Sequence, residues 1–353
     1  MTKALLTKLR LLSQMLLRPQ SNDPVEIVRH MGAVQAQDYG AMRWAIGIRM
    51  GTPSLKSFRE AFDSGKIIRT HLNRATWQLI AGEELGWRLT INKEADIRRL
   101  TQWARMQGFQ NEVEDGKEYG KAKDLLLEIL SGKPEGMSFA DIEGEFRLRG
   151  MEMQQYRFGH HLRMAQTEGI VCSGHLEGHK CTYALCSERV PAGESVLDRD
   201  EALGKLAEGY FRGHGPATLT DYVWWSGLSI TECKRGMAVL GEGLESFSMD
   251  GNTYYMMRNR PEGRMDNALV HHLPPYDEWL IGYKDRSHSL ADQHIPKAHN
   301  KNGLFFPVIL YRGQVVGNWS RGKKLECDFF GEVPPKEALQ KSENRYLTFI
   351  RSI

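Results

Sequence analysis

The sequence contains 353 residues, of which 41% are hydrophobic and 26% charged, so the chain can bury about two or three ordinary cores and shows no bias towards disorder. Its net charge of +3 permits a nucleic-acid partner without requiring one, and its five cysteines lack the paired spacing of a secreted disulfide framework. No apolar run approaches the roughly 20 residues of a membrane span, so we expect a cytoplasmic protein with no membrane partner.

Residues 1–115 predict a first winged-helix-like domain. An amphipathic helix opens the chain, because apolar residues recur at three- and four-residue steps at Leu5, Leu9, Leu12 and Leu16. A second predicted helix begins at Pro24 and ends at Gly32, and a third lies at residues 54–64. The alternating segment IIRTHLNRATWQLI then indicates strands.

Residues 116–195 predict a second winged-helix domain and carry the clearest pattern. Helices are expected at about 121–130, 139–148 and 154–168, where Ser138 caps the second helix and glycines end each one. The alternating segment around Gly174 and Gly178 predicts a β-hairpin wing. In such a unit the third helix normally enters the major groove of DNA.

Residues 196–262 repeat this order more weakly and predict a third winged-helix domain, with a short helix capped by Thr218 or Thr220 and a hairpin at Asp250-Gly251. Residues 263–353 are strand-rich and suit a small barrel or sheet. We therefore predict an α+β fold of tandem winged-helix (helix-turn-helix) domains with a C-terminal β-barrel-like region.

Four segments, in the same order along the chain, carry a resemblance to a known family. They are GAVQAQDYGAM, which contains Gln35 and Gln37, IIRTHLNRATWQLI, LPPYDEWLIGYKDRS and FFPVILYRGQVVGNWSR. With its Gln-hydrophobic-Gln motif, the sequence resembles the AlkZ/YcaQ-like winged-helix DNA glycosylases over most of its length.

This resemblance implies a concave basic surface around double-stranded DNA. It implies a monofunctional hydrolase of the N-glycosidic bond of N7-alkylated purines, with bulky adducts or crosslinks as further substrates. Gln35 and Gln37 match the motif that contacts the lesion and positions water, so they are the expected catalytic residues. No metal and no organic cofactor are implied, and we expect a monomer because tandem domains of one chain can embrace DNA.

The two glutamines can share one site only under a geometric condition. Residues two apart on an α-helix point about 200° apart, so the helix must end before Gln35. Gly32 and Gly40 make such an end plausible. The alternative interpretation is that one glutamine hydrogen-bonds a neighbouring backbone group while the other is solvated. Asp38 follows directly and is a minor candidate for the acid.

Basic residues in two segments are candidates for DNA contact. Arg69, His71 and Arg74 form a polar stripe suited to phosphates, which supply affinity and little specificity. Arg157 and Arg163 lie on the predicted third helix of the second domain. The alternatives are ordinary surface arginines in the first segment, and packing of the helix into the core in the second.

Two further groups of side chains suggest a metal site and an acid-base site, and we predict neither. Two cysteines and two histidines could hold zinc, but the spacing of Cys172, His175, His179 and Cys181 is too compact, so no metal site is expected. Asp277 and Glu278 invite an acid-base interpretation. The resemblance implies that this segment is a structural loop and a candidate to approach DNA, and ion pairing among Asp277, Glu278, Lys284 and Arg286 explains these charges equally well.

Two other classes of function remain open from the sequence. A non-catalytic DNA-binding protein or transcription regulator would use the same winged helices, prefer a defined DNA sequence and usually form a dimer. A protein-interaction scaffold would be favoured by the absence of any contiguous basic surface. A repair enzyme should instead bind duplexes broadly, with strong salt dependence.

Overall fold

Helices and short strands alternate along the chain in the computed structural model, which describes residues 2–109, 116–178, 180–191, 197–322 and 324–352. Contacts divide the chain into two units: Met1–Phe58 together with Leu203–Ile353 form unit 1, and Arg59–Ala202 forms unit 2. Across the described residues, no helix combines the length and the apolar character needed to cross a membrane.

Unit 1 begins with α1 (Lys3–Ser13), α2 (Pro24–Met31), β1 (Val34–Gln35), α3 (Met42–Gly47) and α4 (Leu55–Asp63), and the last turns of α4 enter unit 2. The predicted opening helix and the helix begun by Pro24 are confirmed. Thr2 and Asp23 cap them by accepting hydrogen bonds from the N–H groups of Leu5 and Val25.

Unit 2 contains β2 (Ile67–Leu72), β3 (Thr76–Ala81), α5 (Leu85–Met106), α6 (Lys117–Leu130), β4 (Met137–Ser138), α7 (Phe139–Leu148), α8 (Gln155–Thr167), β5 (Val171–Ser173), β6 (Thr182–Leu185) and α9 (Cys186–Arg189). The three helices predicted between residues 121 and 168 are confirmed by α6, α7 and α8. Ser138 caps α7 as expected, because its side chain accepts from Asp141 N–H. Apolar faces of α6, α7 and α8 enclose a core that includes Leu126, Phe146 and Phe158.

The chain returns to unit 1 within α10 (Arg199–His214). The elements that follow are β7 (Ala217–Thr218), α11 (Leu219–Ser226), α12 (Ile230–Val239), β8 (Leu244–Met249), β9 (Asn252–Met257), β10 (Val270–Leu273), α13 (Glu278–Ile281), α14 (Ile295–Ala298), β11 (Val308–Tyr311), β12 (Gln314–Arg321), β13 (Leu325–Phe329) and α15 (Lys336–Arg351). Short 3₁₀ turns occur at Gly82–Glu84, Gly241–Gly243 and Asp292–His294.

An internal repeat is visible in these elements. Helix, strand, helix, helix and hairpin follow one another from α6 to β6 and again from α10 to β9, and the sheets have the matching strand orders β4-β6-β5 and β7-β9-β8. Along the chain, α2 to β3 has the same order of elements. The order expected from the sequence is present in the second and third segments, whereas the first segment contains the helix α3, which was not predicted, and does not use the opening helix α1 in the repeat.

The C-terminal strands form an antiparallel sheet of order β10-β11-β12-β13. This corrects the barrel-like expectation, because among the described residues β10 and β13 are the outer strands and the sheet does not close. Four strands are too few to enclose a filled barrel interior, which takes about eight. Instead α15 packs against β10, and its side chains Tyr346 and Phe349 are buried.

Candidate active site

Gln35 and Gln37 lie beyond the end of α2. The helix ends at Met31, and Gly32 adopts a φ of +77°, where an added Cβ would stand 3.0 Å from the carbonyl carbon of Gly209. Gln35 then belongs to strand β1 and is buried, whereas Gln37 lies in an exposed bend. The geometric condition for a shared site is met, because neither glutamine is on a helix.

Glu278 anchors the strand that carries Gln35. Its Oε1 accepts the backbone N–H of Gln35 at 2.7 Å, and its Oε2 lies 3.0 Å from Nε2 of His214. The side chains of Glu278 and His214 are 1% and 0% exposed, so water does not replace either contact. An ionised carboxylate only accepts hydrogen bonds, and His214 is therefore the donor of this pair.

A buried ion pair adjoins this anchor. Both terminal nitrogens of Arg49 donate to the Asp277 carboxylate, at 2.8 and 2.9 Å, in the two-pronged geometry that strengthens such pairs. Burial alone would lower the pKa of Arg49, but the charge and hydrogen bond of Asp277 raise it above its usual value. Arg49 therefore stays charged beneath the glutamine segment.

Gln14 links the Arg49–Asp277 ion pair to Glu278. Its Oε1 accepts from Arg49 at 2.9 Å, and its Nε2 donates to the backbone carbonyl of Glu278 at 3.2 Å and to the Tyr283 hydroxyl at 3.1 Å. All these side chains are buried, so each polar group must find a partner within the protein. The resulting network spans α1, α3, α10 and α13, and holds β1 in place.

Unit 2 holds the predicted polar stripe on the β2–β3 hairpin. Arg69 is 4% exposed, with its guanidinium 3.5 Å from the ring centroid of Trp77. His71 is buried too, and its Nδ1 lies 2.7 Å from Oε1 of Gln166. Burial and then the charge of Arg163 lower the pKa of His71 well below its usual value. The stripe is thus largely covered in this structure.

The turn of this hairpin carries Arg74 in an unusual backbone. Asn73, Arg74 and Ala75 have φ values of +43°, +70° and +55°, a left-handed run that costs about 1–3 kcal/mol per residue. Asn92 of α5 supports the turn by donating to Oδ1 of Asn73 at 2.8 Å. Arg74 is half-buried at the tip, and a role for it in DNA contact remains a prediction.

Helix α8 carries Arg157 and Arg163, both half-buried. Arg157 forms an ion pair with Glu118, which also accepts from Nε2 of His161 at 2.7 Å. Burial lowers the pKa of Arg163. Much of α8 packs inward, as the sequence allowed, and DNA contact by these two arginines stays a prediction.

The compact Cys/His group provides no visible metal site within the described chain. There, no three or more His, Cys, Asp or Glu side chains gather in a way that could hold an ion. Cys172 is buried on β5, and Sγ of Cys181 lies 3.3 Å from a nitrogen of Arg69. His179 lies outside the described residues.

Comparison with known protein families identifies the family of the chain. The sequence profile described as DNA glycosylase AlkZ-like matches residues 28–326, which include the glutamine segment and most of both units. The chain belongs to the AlkZ-like DNA glycosylase family.

A solved structure agrees with this assignment at the level of the fold. The Streptomyces sahachiroi DNA glycosylase AlkZ is 20% identical to the AlkZ-like chain described here and superposes with a TM-score of 0.77, covering 99% of this chain and 96% of its own. A search among curated proteins finds no match.

Sequence reasoning missed much of what surrounds the glutamines of this AlkZ-like protein. Asp277 and Glu278 pair with Arg49 and His214, not with the neighbouring Lys284 and Arg286 as expected. His214 gave no local signal, because it stands at the end of α10, 64 residues from Glu278. Only the segment LPPYDEWLIGYKDRS, already part of the resemblance, pointed to this region.

Proposed function

We propose that this protein is a monofunctional DNA glycosylase that hydrolyses the N-glycosidic bond of N7-alkylated purines in duplex DNA, with bulky adducts or crosslinks as further substrates. Gln35 and Gln37 are its catalytic residues in this proposal. The supporting observation is the anchoring of Gln35 N–H on the buried Glu278, which gives the motif a fixed, non-helical backbone. Preorganisation of this kind lowers the cost of orienting reactants.

The chemistry of the substrate suits two carboxamides. An N7-alkylated purine is already cationic and leaves without strong protonation, so the enzyme must orient water and stabilise a developing oxocarbenium ion. An amide oxygen can accept a hydrogen bond from that water, and an amide nitrogen can donate one. Because an amide is a poor general base, neutral purines should be poor substrates.

DNA binding in this proposal is supplied by the repeated segments, which we interpret as tandem winged helices. The proposed contacts to the phosphate backbone lie within a monomer and are Arg69, His71, Arg74, Arg157 and Arg163. Several of these side chains are covered or ion-paired here, so binding would have to exchange those contacts for phosphates. We expect affinity to fall steeply with salt, as phosphate contacts require.

The decisive experiment measures release of 7-methylguanine from methylated duplex DNA. We compare the wild-type chain with Gln35→Ala and Gln37→Ala, and use Gln102→Ala, an exposed glutamine of α5, as the matched control. Loss of release in either motif variant, with DNA binding retained and the control active, supports the proposal. A folded wild-type chain that binds duplexes without releasing base would favour the non-catalytic DNA-binding function instead.

A further inference from the structure

Tyr276 has a backbone conformation that bulky residues rarely adopt. Its φ is +59°, in the left-handed region, and it follows two prolines immediately before Asp277. The buried ion pair between Asp277 and Arg49 fixes the residue that comes after it. The surrounding structure therefore holds Tyr276 in one place despite its unfavourable backbone, a situation typical of functional sites.

The segment that carries Tyr276 adjoins the glutamine segment. Two residues further on, Glu278 accepts the N–H of Gln35 at 2.7 Å. Burial and then the charge of Asp38, the neighbour of Gln37, raise the pKa of the Tyr276 phenol. The phenol is therefore neutral.

The Tyr276 ring packs against Phe305. Its centroid lies 5.9 Å from that of Phe305, which is buried, and the Arg286 guanidinium lies 5.1 Å from the Phe305 ring. Tyr276 itself is half-buried, so part of the residue stays open to solvent. An open aromatic surface with a carboxylate beside it attracts flat cations more than neutral rings.

We propose that Tyr276, assisted by Asp38, forms the surface on which the positively charged ring of an alkylated purine stacks, and so selects cationic over neutral bases. The inference rests on the proposed function, since it assigns the recognition of the base at that same site. Tyr276 contributes its π-surface, which attracts the purinium ring, and Asp38 contributes a negative charge near that ring.

The test compares binding of two duplexes that the enzyme cannot cleave quickly. One contains 7-methylguanine on a 2′-fluorinated sugar, which is cationic, and the other contains 7-methyl-7-deazaguanine, which has a similar shape and is neutral. The measured quantity is the ratio of the two dissociation constants within each variant, so a general change in DNA affinity cancels.

We expect the wild-type chain and Tyr276→Phe to bind the cationic duplex more tightly. Tyr276→Leu should reduce this preference by about fivefold to thirtyfold, the equivalent of one cation–π contact. Asp38→Asn, on an exposed residue that should tolerate the change, is expected to reduce it less and in a salt-sensitive way. It also keeps the test decisive if Tyr276→Leu does not fold.

An unchanged ratio in Tyr276→Leu, or in Asp38→Asn when the former does not fold, would overturn the inference, as would a wild-type chain with no preference. The proposed function is tested separately, by release of 7-methylguanine from ordinary methylated DNA. A chain that releases base but keeps its preference in Tyr276→Leu refutes the role of Tyr276 alone. A chain that releases none refutes glycosylase activity on 7-methylguanine.

Discussion

Replacing Glu278 with alanine should destabilise unit 1. The change leaves Gln35 N–H and the Nε2 of His214 without their acceptor, at positions where the side chains of Glu278 and His214 are 1% and 0% exposed. Leaving a buried donor without its acceptor costs about 1–3 kcal/mol. We expect a loss in this range, and not a larger sum, because the two contacts share one carboxylate.

Glu278→Gln separates charge from hydrogen bonding. The amide oxygen can still accept from Gln35 N–H, and its NH₂ group can donate to Nε2 of a neutral His214, whose Nδ1–H then faces the Tyr210 carbonyl at 3.3 Å. The expected loss is therefore only about 1 kcal/mol. The exposed Glu332→Ala is the control and should lie within about 0.5 kcal/mol of wild type.

Equilibrium urea unfolding, followed by tryptophan fluorescence, measures these differences. Hydrogen exchange at the Gln35 amide tests the contact itself, since protection should fall in Glu278→Ala and persist in Glu278→Gln. A loss below about 1 kcal/mol in Glu278→Ala, with the Gln35 amide still protected, would refute the anchoring role of the carboxylate.

Three further outcomes follow from the same structure. Burial lowers the pKa of His271 and of His272 to about 4, so the unfolded chain binds more protons than the folded chain between pH 4 and 6.5. Unfolding measured at a series of pH values should therefore show that each histidine costs up to about 3 kcal/mol of stability as the pH falls through this window. A stability that does not change with pH in this window would contradict the burial argument. In Gly65→Ala, the added Cβ would stand 1.9 Å from the Arg189 carbonyl oxygen, at a residue whose φ is +74°. Thermal unfolding should therefore show that the variant loses at least about 2 kcal/mol of stability. A variant as stable as the wild type would show that the turn relaxes freely. Gln37→Glu places a stronger base at an exposed position, so the single-turnover rate of 7-methylguanine release should rise at least about tenfold. A slower rate would argue against water activation at residue 37.

The helices that the sequence indicated carry local signals, whereas α3, α5 and α15 were not predicted, and α15 lies in a region expected to be rich in strands. Ser138, Thr218 and Pro24 mark helix starts within a few residues of the positions that the sequence indicates, and left-handed glycines end several of the helices. The two-residue strands β4 and β7 gave no pattern, because pairing across the sheet and not alternation defines them. The barrel-like expectation failed for a similar reason, since strand content does not reveal whether a sheet closes.

The candidate site was only half accessible to sequence reasoning. The resemblance identified Gln35 and Gln37, and the structure supplies the non-helical backbone that the pair requires. The roles of Glu278 and Arg49 could not be predicted from the sequence. Glu278 lies 243 residues from Gln35 and Arg49 lies 228 residues from Asp277, and no periodicity encodes such contacts. Burial of His71 on the β2–β3 hairpin likewise depends on tertiary packing, which its alternating sequence does not reveal.

Unit 1 is assembled from two segments of chain that are separated by the whole of unit 2, and this order matters during synthesis. The segment Arg59–Ala202 is complete while roughly two fifths of the sequence is still untranslated, and it can gather its own contacts as it leaves the ribosome. Gln35 is synthesised early, but the carboxylate of Glu278 that accepts its N–H is synthesised 243 residues later. A nascent chain that has not yet reached residue 278 therefore lacks the contact that fixes its glutamine segment.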